Sequence, residues 1–253
     1  MRILITNDDG IQGEGLLHLT KWAQTLGEVV VSAPMVEQSA KSHTIEIHKP
    51  FRAEKVEYLP GVTAWAVDSS PADCVRLMVL GMGEKFDLVL SGINRGLNVG
   101  TDIMYSGTVA AVFEAAALGL PAIAVSTEPK AISEAWQELD RIWAFFLKNK
   151  LLETHGLYNV NIPHKAGGIR ITTMGGPYYS DDFLPEADGF YRPQGKPVYR
   201  FANAENLDTE SVLTRKEISV MPLTTMRVDG AVYEKLKALN EQKLQMILQG
   251  RFS

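Results

Sequence analysis

The sequence predicts an α/β protein, a doubly wound, mostly parallel, Rossmann-like sheet followed by a loop- and hairpin-rich C-terminal extension. Three observations carry this. Strand and helix signals alternate through the first 130 residues, as repeated right-handed crossovers require. Several strands are unbroken apolar runs, the pattern of a parallel sheet covered by helices on both faces. After about residue 150 the rhythm fades, and residues 175–200 are crowded with Gly, Pro and Tyr.

The elements follow in order. Arg2–Thr6 is an apolar run that stops at Asp8-Asp9-Gly10. Gly15–Leu26 sets Leu16, Leu19, Ala23 and Leu26 near helical spacing. Glu28–Ala33 is β-branched and is stopped by Pro34. Thr63–Val67 reads as a strand, and Pro71 suits the first turn of a helix over Ala72–Leu80. Phe86–Leu90 reads as a strand ending at Ser91-Gly92, Ser106–Leu118 as a helix and Pro121–Val125 as a strand. Ser133–Lys148, with Trp136, Leu139, Ile142, Trp143 and Phe146, reads as one helix. Val160–Ile162, Ile169–Thr173 and Glu217–Met221 are strand candidates, and Val232–Leu248 is an amphipathic helix. The expected division is a catalytic core over 1–175 and an extension over 176–253.

Composition narrows the function. The chain has 253 residues, enough for one large domain or one domain with a small appendage. Lys+Arg is 25 and Asp+Glu is 30, a formal net charge of -5. That excludes a broad electrostatic grip on nucleic acid, which needs clustered positive charge. The lone Cys74 excludes an intrachain disulfide and any Cys-rich metal site. Ile3–Ile5 is too short for the apolar stretch of a signal peptide, so a cytoplasmic location is expected. The apolar stretch Thr108–Ser126 holds Glu114 and Gly119-Leu120-Pro121, which argues for a buried helix and strand, not a membrane span.

Four polar clusters follow predicted strands. In Asn7-Asp8-Asp9-Gly10 the two carboxylates converge only if the strand ends and the chain turns, which Gly10 permits. Held together they repel unless a cation or proton sits between them, and oxygen ligands suit Mg²⁺ or Mn²⁺. The same four residues also suit a plain surface turn. Pro34–Ser42 contains Gln38-Ser39, a source of a neutral ligand or an ordinary loop, with His43 close behind, an acid–base candidate or, more in keeping with a lone histidine, a solvated or core one. Ser91–Gly100 combines three glycines with Asn94 and Asn98, and a loop so costly to order suits a binding role at least as well as a passive one. Tyr105-Ser106-Gly107-Thr108 opens an apolar helix, where free N–H groups attract anions; Ser106 also suits a simple N-cap. A P-loop, the dinucleotide fingerprint, a zinc-protease motif and a Gly-x-Ser-x-Gly elbow are all missing.

Together these pieces resemble the SurE family of survival-protein-E nucleotidases. The resemblance rests on Ile5–Gly10, Ala33-Pro34 with Gln38-Ser39, Pro71–Val75, Ser91–Gly100 and Tyr105–Ala111, in the family's order over the first half of the chain. It implies a phosphomonoesterase acting on nucleoside monophosphates, a 5'-nucleotidase with 3'-nucleotidase and exopolyphosphatase activities in its range. It implies one divalent ion, Mg²⁺ or Mn²⁺, on Asp8, Asp9, Ser39 and Asn94. Asp8, Asp9 and Asn94 are the expected catalytic residues, and Asn98, Ser106, Gly107 and Thr108 the expected phosphate contacts. It also implies a homodimer or homotetramer formed through the C-terminal extension. Departures are Ser69-Ser70-Pro71 in place of Gly-Thr-Pro, Ala40 in place of glycine, and a loose match over Thr209–Met221. A non-hydrolytic nucleotide sensor is the rival reading. A nicotinamide-dependent oxidoreductase lacks its fingerprint.

Overall fold

The computed structural model describes residues 1–199, 204–226 and 228–237. Met1–Leu223 forms one compact unit and Thr224–Ser253 a second.

The first unit begins with β1 (Arg2–Thr6), α1 (Glu14–Ala23) and β2 (Glu28–Pro34). β3 (Ala53–Val56), β4 (Thr63–Val67) and α2 (Pro71–Arg76) follow, α2 running into a π-type turn over Leu77–Gly81. Next come β5 (Leu88–Arg95), a 3-10 turn (Gly100–Tyr105), α3 (Gly107–Ala117) and β6 (Ala122–Thr127). Then come α4 (Ile132–Ala135), α5 (Leu139–Lys148), α6 (Leu151–Thr154) and β7 (Leu157–Ile162). The unit ends with β8 (Ile169–Ile171), β9 (Tyr179–Pro185), β10 (Tyr191–Pro197), α7 (Asp208–Leu213) and β11 (Ile218–Pro222).

Nine strands form one sheet in the order β3-β4-β2-β1-β5-β6-β7-β11-β8, and β9 pairs antiparallel with β10 apart from it. The central strands β4, β2, β1, β5, β6 and β7 are all parallel. Alternate side chains feed two cores, as strand geometry dictates. Ile3, Ile5, Val29, Val31, Leu88 and Leu90 pack with Leu16 and Leu19 of α1 and with Ile142 and Phe146 of α5. Leu4, Val30 and Val89 pack on the other face with Val75, Met78, Val109 and Val112. Each such side chain contributes roughly 1.5–3 kcal/mol on burial. The doubly wound α/β class expected from the sequence is therefore present.

Local differences have physical causes. The expected strand Phe86–Leu90 begins at Leu88 and runs on to Arg95, through Ser91-Gly92. Its register against β6 shifts between Ser91 and Asn94. Gly92 sits at φ +138°, and a Cβ there would lie 2.2 Å from the Val125 carbonyl oxygen. The glycine admits close approach of β6 instead of ending the strand. The expected helix Ser133–Lys148 is broken by a 3-10 turn at Trp136–Glu138. β3 is an antiparallel edge strand of mixed polarity, Ala-Glu-Lys-Val, and carries too little apolar pattern to be read.

In the second unit α8 spans Gly230–Leu236, capped by the Asp229 side chain accepting from the Val232 N–H at 3.0 Å. The expected terminal helix positions Leu239, Leu244, Ile247 and Leu248 lie outside the described residues. Among the described residues no helix is long and apolar enough to cross a membrane.

Candidate active site

The sheet changes direction at β1, which lies between β2 and β5. Ligands of open α/β sheets bind beyond the carboxyl ends of strands at such a point. There Asn7 turns the chain, its side-chain amide donating to the Gly10 carbonyl at 3.0 Å. The Ile11 N–H donates to the Pro34 carbonyl at 2.8 Å and the Gln38 N–H to the Asp8 carbonyl at 2.7 Å, fastening this turn to the end of β2.

Asp8 is almost fully buried. The Thr108 hydroxyl donates to its Oδ1 at 2.5 Å, and the Thr108 backbone N–H also serves its carboxylate. A Cβ on Gly107 would lie 2.9 Å from the Asp8 Cβ and 3.1 Å from its Oδ2, so only glycine lets α3 start this close. Burial pushes the Asp8 carboxyl up to about 6; the Thr108 hydroxyl opposes the shift and the Asp9 charge adds to it. Asp9 accepts from the Arg95 N–H at 3.1 Å through Oδ2. Burial raises its carboxyl as well, against that N–H and with the help of the Glu37 charge.

The loop after β2 brings Ser39 to the same place, its hydroxyl donating to Glu37 Oε1 at 2.5 Å. The Ser42 N–H donates to the Tyr105 carbonyl at 3.0 Å and its hydroxyl to the Met104 carbonyl at 2.6 Å. His43 faces away, its Nε2 lying 2.8 Å from Glu114 of α3; the Arg76 guanidinium holds the other Glu114 oxygen at 2.9 Å. Near the end of β5, Asn94 donates through Nδ2 to the Gly96 carbonyl at 2.8 Å, and after β5 Asn98 donates to the Ser126 hydroxyl at 2.8 Å. Ser106 caps α3, its hydroxyl accepting from the Val109 N–H at 3.1 Å.

These groups open into a cleft of about 760 Å³. Asp8, Asp9, Ser39, Asn94, Asn98 and Ser106 all line it. Gly107 and Thr108 are buried behind Asp8 and do not line it. The walls also include Glu14, Glu37, Asp102 and Asp181, so among the described residues six carboxylates face the guanidinium of Arg95. Tyr105, Leu97, Ile132 and Tyr179 supply apolar surface. Asp102 holds the β9 end of this wall, its Oδ2 accepting from the Tyr178 and Tyr179 N–H groups at 2.8 Å each.

The family model described as survival protein SurE matches residues 3–181. The chain belongs to the SurE family. Among SurE relatives, a protein of Thermoanaerobacter sp. (strain X514) named 5'-nucleotidase SurE is 39% identical, over 97% of this chain and all of that protein. One of the same name from Caldanaerobacter subterraneus subsp. tengcongensis is 37% identical over 96% of this chain and 98% of its own. The crystal structure of SurE from Aquifex aeolicus is similar at a TM-score of 0.77 and 30% identity, covering 95% of this chain and 100% of that one.

The SurE match contains all eight expected site residues, Asp8 to Thr108, and ends inside β9. Glu14, Glu37, Asp102, Tyr179 and Asp181 were not foreseen, because their spacing carries no motif. Tyr105 could have been singled out, since it stands directly before the α3 cap.

Proposed function

We infer that the chain hydrolyses nucleoside 5'-monophosphates to nucleoside and inorganic phosphate. One observation carries the reading: the Asp8–Asp9 pair and the start of α3 meet in a single cleft, in a chain whose relatives are named 5'-nucleotidases. The proposed phosphate contacts are Asn98 and Ser106, beside the positive end of α3; Gly107 acts by letting α3 start against Asp8. Thr108 acts one step back, fixing the Asp8 carboxylate by its hydroxyl. Tyr105 and Leu97 offer the nucleoside an apolar wall.

The residues fit a divalent ion. Among the described residues the cleft sets six carboxylates against the Arg95 guanidinium, a balance that repels a phosphate dianion unless a cation joins it. Among the described residues no three His, Cys, Asp or Glu side chains are grouped so as to hold a metal ion by themselves, so a donor set of two carboxylates with neutral oxygens, suited to a hard ion, is the reading. Asp8, Asp9, Ser39 and Asn94 would hold Mg²⁺ or Mn²⁺. When bound, the ion supplies Lewis-acid polarisation of a phosphoryl oxygen and a more acidic water. Preorganised donors at Asn98 and Ser106 meet the phosphoryl oxygens as their charge shifts.

The same reading makes the enzyme cytoplasmic and takes 176–253 as the extension joining copies into a homodimer or homotetramer. In favour of association is the exposed apolar surface on β9, β10 and their connection, with Phe183, Phe190 and Tyr191 each more than 60% exposed.

Phosphate release from 5'- and 3'-monophosphates and from polyphosphate, with Mg²⁺, Mn²⁺ or EDTA, tests the reading. The 5'-substrates turn over with metal, and turnover vanishes in EDTA and in Asp8→Asn. Tight nucleotide binding without phosphate release under either metal would establish the sensor instead.

A further inference from the structure

We propose that Asn159 and Asn161 are positioning residues that act through Asn98, holding the loop after β5 so that the Asn98 side chain meets the phosphoryl group. The proposal rests on Asn98 being a substrate contact. Along β7, Tyr158, Val160 and Ile162 enter one apolar core and Leu157 the other. Asn159 and Asn161 share the face of Leu157 by strand alternation. Both are completely buried in a strand inside the sheet, where asparagine is disfavoured and an unbonded amide is penalised.

Their bonds converge on one peptide unit. The Asn159 and Asn161 Nδ2 groups each donate to the Asn98 carbonyl at 2.8 Å. The Asn98 N–H donates to Asn161 Oδ1 at 2.8 Å. Both backbone groups of Asn98 are thus taken by side chains of β7, and one of its two Nδ2 hydrogens goes to the Ser126 hydroxyl of β6. The loop Gly96–Val99 makes no strand ladder of its own, so these bonds replace one. Asn159 Oδ1, by contrast, is buried without a hydrogen-bond partner among the described residues. A residue chosen for stability alone would not leave that oxygen unpaired. Local rules broken in this way mark functional positions.

The test compares wild type, Asn98→Ala, Asn159→Ala, Asn161→Ala and the Asn98→Ala/Asn161→Ala double variant as full chains. Readouts are kcat and KM on a 5'-monophosphate, inhibition by inorganic phosphate, the metal concentration for half-maximal rate, and the thermal midpoint. Asn161→Ala is expected to weaken phosphate inhibition and kcat/KM by about tenfold or more, the scale of a small misplacement at a reacting centre. Asn159→Ala moves both in the same direction, and the metal requirement is unchanged. In the Asn98→Ala background Asn161→Ala adds less than about twofold, because residues acting through one another are not additive. Losses that multiply in the double variant overturn the proposal, as does wild-type kinetics in Asn161→Ala beside an impaired Asn98→Ala. If Asn161→Ala does not fold, Asn159→Ala runs the same cycle, because it leaves both Asn161 bonds in place. If wild type releases no phosphate, the nucleotidase reading has failed; calorimetric binding of inorganic phosphate to the same five proteins then decides the positioning role.

Discussion

The Thr108 hydroxyl donates to Asp8 Oδ1 at 2.5 Å, joining residues 100 positions apart in the chain. It welds the first turn of α3 to the end of β1, so the helix start and the carboxylate pair move as one body. Thr108→Val keeps the shape and removes the donor. We expect kcat/KM to fall about tenfold to a hundredfold and stability to fall by about 1.5–3 kcal/mol, the worth of a hydrogen bond to a charged group. Thr108→Ser retains most of both. Phosphate release and urea unfolding measure them.

Gly107→Ala tests the close approach itself. Alanine is favoured over glycine inside helices by about 1 kcal/mol, so propensity alone predicts a gain. The added Cβ at 2.9 Å from Asp8 Cβ must displace the carboxylate instead. Activity is expected to fall about a hundredfold. Wild-type kcat with a raised melting temperature would show that Asp8 tolerates the shift.

Glu114 makes a pH prediction outside the cleft. Its carboxyl is held below the usual range, chiefly by His43 and then by Arg76. A depressed folded-state value stabilises the fold above the unfolded value near 4.5, and the gain fades as pH falls through the lower folded value. Urea unfolding of wild type and Glu114→Gln from pH 3 to 7 should therefore give curves well separated at neutral pH that converge below about 4.5. A separation independent of pH would refute the charge-based account.

Asp208 is fully buried and accepts from the N–H groups of Gly100, Gly175 and Thr209, each at 2.7 Å. It ties the loop after β5 to the chain before β9 and to α7. Asp208→Ala strands three buried donors, so a loss of at least about 3 kcal/mol is expected in chemical denaturation.

Much of this was readable along the chain. Val29-Val30-Val31 and Ala122–Val125 announce buried parallel strands because both of their faces must be apolar. Asn7–Gly10, Ser39 and Asn98 follow β1, β2 and β5, and Asn94 stands near the end of β5, where an open α/β sheet presents ligand groups. α7 was not readable. Asp208, Thr209, Glu210 and Ser211 look like a solvated turn, yet all are buried; for Asp208 the distant backbone donors of Gly100 and Gly175 replace the water its carboxylate otherwise needs.

The sequence by itself determined the α/β class and the order of the central elements, because periodicity and apolar runs are local properties that any short window contains. It also placed Asn7–Gly10 and Ser39 after β1 and β2. Only the tertiary structure decided what those residues do together. It sent the Thr108 hydroxyl to Asp8 and turned His43 toward Glu114. It set Asn159 and Asn161 behind Asn98, and it walled the cleft with Glu37, Asp102 and Asp181. Those pairings join residues far apart in the chain, and the physical reason is that strand order and register, which no local pattern encodes, choose the neighbours.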